Sequence, residues 1–372
     1  MANNLHIVSF SIPFPANYGG VIDVYYKIKS LHEAGVNITL HCFKYDRQEA
    51  EELNRYCKEV IYYDRKMQSF QLVSKLPFIV SSRTSTLLLS NLLKDNFPIL
   101  FEGLHTCALI NNPKLLNRKK IIRSHNIEHD YYAQLAKIET KILKRFYFNL
   151  EARKLKNFEK VAMSSADFIL GISKNDCKYL GDNYGKTIHV SAFHAYKKVD
   201  TPLMTKPFAF YHGNLAIGEN NEASLFLVNS VFNNIDYPLV IAGNNPTDAL
   251  IKACGKNLNV ILKPNSSSIE IEDLLRTAHI NVLPTFQSTG IKLKLLSALF
   301  LGNHCLVNDH MVLGTGLESL VEKANTSDDF LASIKRLKSI PLIKSIPSRE
   351  EVLKPFTNQL VVSKLLDIIN EI

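Results

Sequence analysis

The sequence predicts an α/β protein built from two doubly wound domains. Three observations carry this. Short apolar, β-branched runs recur along the whole chain, bounded by Gly, Pro or Asn and followed by helical patterns, as parallel strands buried between helices require. At 372 residues the chain exceeds what one hydrophobic core usually supports, so two domains of roughly 150 to 200 residues are expected. The alternation is interrupted once, by the polar, proline-bearing stretch AYKKVDTPLMTKP from Ala195 to Pro207.

In order, strands are expected at 5–11, 37–43, 59–63, 98–103, 120–125, 168–173 and 188–193, then at 208–213, 238–244, 259–263, 280–284 and 304–308. An N-terminal domain therefore spans 1–195, a linker 196–207 and a C-terminal domain 208–347. A helical segment, 348–372, is expected to pack back toward the N-terminal domain, with a break at Pro355. Two Rossmann-like domains of this kind would face a central cleft, and their ligands would bind beyond the strand ends.

Hydrophobic content of 46% with 21% charged residues describes a well-cored globular chain and excludes a disordered one. No apolar run is long enough to cross a membrane, and MANNLHIVSF lacks the layout of a secretory signal, so a cytoplasmic location is expected, with peripheral attachment to the inner membrane face as a variant of it. Six scattered cysteines without a CxxC pair read as reduced, and no metal site is expected from them.

A formal charge of +9 admits an anionic partner. Much of it is concentrated in Lys137 to Lys160, where eight Lys or Arg stand against three Glu, with Ile138, Ile142, Leu143, Phe146, Leu150 and Leu155 at helical spacings. A solvated helix face would explain the pattern. A basic amphipathic surface on anionic lipid or a lipid-linked substrate would explain it too. Nucleic acid is not expected, because no nucleic-acid-binding motif accompanies the charge.

Four loops could carry chemistry. In SIPFPANYGGVIDVYY, Gly19 and Gly20 precede a helix expected near Val21, where backbone N–H groups could approach a phosphate; a plain turn is the alternative. In RSHNIEHDYY, His125 follows a strand, with Asn126 and Glu128 beside it. His125 to His129 also spell H-x-x-E-H, which would bind zinc only if both histidines shared a helix turn. FYHGNLAIGENN places His212, Gly213 and Asn214 at a strand exit and offers Asn220-Asn221 as a helix cap. In TFQSTGIKLKLLSALF, a helix expected from Ile291 has a core stripe of Ile291, Leu295, Leu296 and Leu299, with Lys294 and Ser297 on another face. Ser288, Thr289, Gly290 and Lys292 would make a diphosphate site, or the lysines are simply solvated.

The succession FPANYGG, RSHNIEHDYY, SSADFILGISKND, FYHGNL with ENN, LVIAGNNP, INVLPTFQSTGIKLKLLSALFLGNHCLVN and GTGLE resembles the GT-B fold glycosyltransferases, most of all family 4, over nearly the whole chain. The resemblance implies an enzyme that moves a sugar from a UDP- or GDP-linked donor, held by the C-terminal domain, to a glycan or lipid-linked glycan held by the N-terminal one. It implies retention of anomeric configuration, with no cofactor and no metal, and no D-x-D occurs in the chain. Carried over by position, it places Gly19 and Gly20 near the donor diphosphate and His125 at the reaction centre. It assigns the donor to His212, Gly213, Asn214, Ser288, Thr289, Gly290, Lys292, Lys294, Thr315 and Gly316.

The chain departs from the family pattern where E-x7-E is usual: Thr289 and Ser297 replace the carboxylates, and Asn214 stands where Arg is common. A catalytically silent subunit that binds a partner or glycan is the rival these departures suggest, and a zinc hydrolase through residues 125–129 is a remote one. Acceptor specificity is expected in loops 64–82 and 103–118.

Overall fold

The computed structural model describes residues 4–68, 74–201, 204–286, 293–341 and 347–371. The chain divides into two compact units, one of residues 1–195 with 358–372 and one of 196–357.

The first unit holds seven strands, β1 (Asn4–Ser9), β2 (Asn37–Lys44), β3 (Glu59–Asp64), β4 (Ile99–Glu102), β5 (Lys120–Ser124), β6 (Phe168–Gly171) and β7 (Thr187–His189). They form one sheet in the order β3-β2-β1-β4-β5-β6-β7, every pairing parallel. Its helices are α1 (Gly19–Glu33), α2 (Phe78–Ser81), α3 (Thr86–Leu92), α4 (Glu128–Ile138), α5 (Ile142–Ser164) and α6 (Lys174–Tyr184).

Successive strand residues face opposite sides of the sheet, so each strand feeds two cores. On one side Leu5, Ile7, Ile38, Leu40 and Leu100 meet Val24, Ile28 and Leu31 of α1. On the other, Val8, Phe43, Phe101 and Ile122 meet Leu88, Leu92, Leu155 and Met163. Apolar runs of four to six residues are what burial on both faces demands.

The second unit has β8 (Lys206–His212), β9 (Leu239–Gly243), β10 (Val260–Pro264), β11 (Ala278–Leu283), β12 (His304–Val307) and β13 (Glu322–Lys323), in the parallel order β10-β9-β8-β11-β12-β13. Its helices are α7 (Gly218–Phe226), α8 (Asp248–Cys254), α9 (Ser268–Thr277), α10 (Leu293–Leu301), α11 (Asp309–Val312), α12 (Ser327–Leu337) and α13 (Pro347–Leu353). Counted from its own first strand, this order is 3-2-1-4-5-6, the doubly wound arrangement in which ligands gather where the winding reverses.

A last helix, α14 (Asn358–Asn370), belongs to the first unit. Val361, Leu365, Ile368 and Ile369 join the α1 side of that core. Both ends are tied down. The Asn358 side chain exchanges hydrogen bonds with the backbone of His194, and Lys119 Nζ donates to the carbonyls of Ile368 (2.6 Å) and Glu371 (2.9 Å). The helical pattern of the tail is broken at Lys354–Phe356, around Pro355.

Some expectations shift. The segment 188–193 is strand only from Thr187 to His189, because the carbonyls of Val190 and Ser191 turn to Arg123. The second unit's first strand begins at Lys206, inside the expected linker. Among the described residues no helix is long and apolar enough to cross a membrane.

Candidate functional site

In the first unit the winding reverses between β1 and β4, and the loops there converge. Helix α1 opens at Gly19 itself, and its cap position, Tyr18, supplies no side-chain bond. No acidic residue lies in its first turn, so the positive end of the helix is left for an anion. Gly20 is required by Phe10: a Cβ would lie 2.7 Å from the ring. The same ring packs edge-on against His125 and tilted on His105.

Behind these rings lies a buried ion network. Asp23 and Lys27, one turn apart on α1, are paired at 2.9 Å, and Lys27 Nζ also meets Glu102 Oε1 at 2.7 Å. Arg123 grips both oxygens of Asp23, at 2.9 and 3.1 Å. His125 Nε2 sits 2.9 Å from Glu102 Oε2. Burial opposes ionisation of Asp23 and Glu102, but Arg123 and Lys27 outweigh it for Asp23, and Lys27 and His125 do so for Glu102. Both carboxyls are therefore held below their usual range.

Asp23, Glu102 and His125 are also the one trio that could hold a metal ion among the described residues. Two cationic side chains already balance the two carboxylates, so an ion there would have to displace Lys27. The zinc alternative fails on geometry. Helix α4 begins at Glu128, leaving His125 outside it, and His129 Nδ1 turns to Glu159 at 3.1 Å instead. Glu128 is buried away from His125's partners, beside Glu159 and Arg83. Burial and the Glu159 charge push it up to about 8. Asn126 stays half-buried next to it, its carbonyl accepting from Ser124.

In the second unit the reversal lies between β8 and β11. His212, at the end of β8, stacks on Phe210, and its Nε2 is buried with no hydrogen-bond partner. Burial, aided by nearby Lys294, lowers its pKa to about 3, so the ring is neutral. Gly213 is pressed from two sides. Its own Cβ would lie 2.8 Å from Asn220, and a Cβ on Gly243, at φ +154°, would lie 1.7 Å from the Gly213 carbonyl. Only glycine permits this approach of β8 to β9.

Asn220 is not the expected cap. Helix α7 starts earlier, at Gly218, because Asn214 Oδ1 accepts from Ala216 N and closes the preceding turn. Asn220 then faces inward, binding Lys294 Nζ at 2.6 Å and the Asn214 carbonyl at 3.0 Å. Lys294 lies over the Tyr211 ring at 4.8 Å. Ser297 donates to the Leu293 carbonyl and accepts from Tyr196. Thr315 is buried, its hydroxyl closing a turn onto Val312, with Gly316 beside it at φ +82°. Ser288, Thr289, Gly290 and Lys292 lie outside the described residues.

Asp23, Lys27, Glu102 and Arg123 were missed as site residues. Their signals were present: an i,i+4 ion pair just after the Gly-Gly helix start, and single charged residues inside the apolar strands PILFEG and KIIRSH.

No family model matches the chain. It is 30% identical over 312 residues, 79% of each chain, to an uncharacterized 44.6 kDa protein in the cps region of Klebsiella pneumoniae. The chain belongs to that protein's family. Among solved structures, the chain is similar over 99% of its length to the lipopolysaccharide outer core galactosyltransferase WaaB (TM-score 0.63, 15% identity, all of that chain). It is similar over its full length to TarM (0.70, 10%, 99% of that chain) and to Anabaena HepE in complex with UDP and glucose (0.66, 8%, all of that chain). At these identities the likeness establishes the fold, two Rossmann-like units of the GT-B type.

Proposed function

We propose that this family member is a glycosyltransferase that moves a sugar from a nucleoside-diphosphate donor to a hydroxyl of a glycan or lipid-linked glycan, with retention and without a metal. The observation that carries the reading is His212 at the second unit's winding reversal, a neutral ring whose buried Nε2 faces no protein partner. An unpaired imidazole nitrogen at a strand exit suits a ligand that hydrogen-bonds there.

In such a transfer the anomeric C–O bond to the diphosphate breaks and the acceptor oxygen bonds the same carbon. The acceptor proton leaves with the nucleoside diphosphate. Negative charge grows on the leaving group, and the uncapped, acid-free start of α1 at Gly19-Gly20 is a fitting stabiliser. His125, fixed by Glu102, is assigned to the reacting sugar. The donor loop is assigned to Ser288, Thr289, Gly290 and Lys292. The acceptor is assigned to the first unit, where a groove of about 520 Å³ near α1 presents Phe14 and Tyr18 with Asn17, Gln48 and the charged Asp46, Arg47 and Glu49. Aromatic faces among carboxylates and amides suit the hydroxyls of a sugar ring.

The HepE structure holds UDP and glucose, and a structure of a TarM variant holds UDP. Both support a uridine donor here. Calorimetric titration with UDP, GDP and their sugars tests the reading, with micromolar binding of one series expected; binding by none would sink it. Ser297 favours the rival, a silent subunit, because a hydroxyl satisfied by Tyr196 replaces the usual carboxylate. A nucleotide that binds without sugar release to any acceptor would support that rival.

A further inference from the structure

We propose that the tip of the α4–α5 hairpin is a docking element for an anionic lipid surface. This rests on two helices of the first unit alone and is independent of the transferase reading. The tip is apolar and uncovered: Leu143 is 86% exposed, Ile142 73% and Phe146 69%, with Ile138 and Leu150 exposed beside them. Positions 142, 146 and 150, with 143 adjoining, form one stripe on a helix, whereas Leu155 further along is buried in the core. Single exposed apolar residues are ordinary, but a contiguous group of this size where two packed helices meet marks a contact surface.

The charges select the partner. Lys137, Lys141, Lys144 and Arg145 ring the apolar group, all exposed, with Glu139 the one acid among them. Lys137 lies in the last turn of α4, but Lys141, Lys144 and Arg145 cluster at the N-terminus of α5, which has neither a capping side chain nor an acid in its first turn. Cations there oppose the helix dipole, so the arrangement disfavours the free helix and is relieved by negative charge from outside. A second protein copy would explain the leucines but not the lysines; nucleic acid would explain the lysines but not the apolar stripe. A bilayer with anionic headgroups satisfies both, and the contact is peripheral, since among the described residues no helix can span.

The chain contains no tryptophan, so Phe146→Trp in the full chain provides a single fluorescent reporter at the tip. With vesicles of phosphatidylglycerol in phosphatidylcholine, its emission should shift to the blue and the protein should sediment with the vesicles; pure phosphatidylcholine should give neither. Leu143→Asp, and separately the pair Lys141→Glu with Lys144→Glu, should each weaken vesicle affinity about tenfold or more. Neither should lower the melting temperature, because acids in a first helical turn favour the helix. Unshifted emission, or undiminished vesicle binding by Leu143→Asp, would overturn the proposal. Self-association without lipid that Leu143→Asp abolishes would replace the bilayer by a second copy.

Discussion

Glu128 shows how one residue can tie stability to pH. Its carboxyl titrates near 8 in the folded chain and near the ordinary 4.5 when unfolded. Between these values the native state holds a proton that the unfolded state has lost, so stability falls as pH rises from about 5 to 8. Glu128→Gln should flatten that slope and raise the urea midpoint at pH 8 relative to the parent; an unchanged slope would remove Glu128 as its source. On the proposed transferase reading, His125→Ala should lower turnover about 100-fold or more while nucleotide affinity in calorimetry stays within experimental scatter. That His125, Gly19, Gly20 and His212 stand at strand ends or at the helix start that follows was legible, because the ends of apolar strands can be found from pattern alone. The burial of Glu128 was not legible, because an exposed and a buried acid at a helix start look the same in sequence. Beyond the local Asp23–Lys27 pair the network was overlooked, because Lys27 and Glu102 lie 75 positions apart and Asp23 and Arg123 100, distances no local pattern spans.

Elements inherit their strictness from such contacts. The Asp23–Lys27–Glu102–Arg123 group binds α1 to β4 and β5 through charges with no access to water. Removing one partner strands another, so Lys27→Met should cost about 3–5 kcal/mol in urea denaturation, far more than the surface pair Arg276–Glu272, expected near 0.5 kcal/mol. Gly243→Ala should be comparably severe, about 3 kcal/mol, since both its φ and the Gly213 carbonyl forbid a Cβ. Strand positions were readable to within a few residues because burial on both faces leaves an unbroken apolar run. Helix starts were less so. Asn220 matched the cap pattern, yet the Asn214 turn closed first and turned Asn220 inward toward Lys294.

For the whole molecule, two doubly wound parallel sheets follow from alternation and chain length, which is why the fold class was legible in the sequence, whereas the strand orders were read from the structure. The donor, by contrast, depends on a few side chains in loops, and composition says nothing of them. A thermal-shift screen of nucleotide sugars reports on the entire chain: a donor present at about 100 times its dissociation constant should stabilise by about 2.7 kcal/mol, visible as a rise of a few degrees in melting temperature, while a screen without any rise argues for the silent subunit. Helix α14 also sets an order of events in time. The first unit cannot close its α1 face until Val361, Leu365 and Ile368 exist, yet the whole second unit is made in between. At about 5–20 residues per second, those roughly 160 intervening residues keep that face uncovered for about 8 to 30 s of translation, an interval in which a chaperone or a neighbouring nascent chain has first access to it.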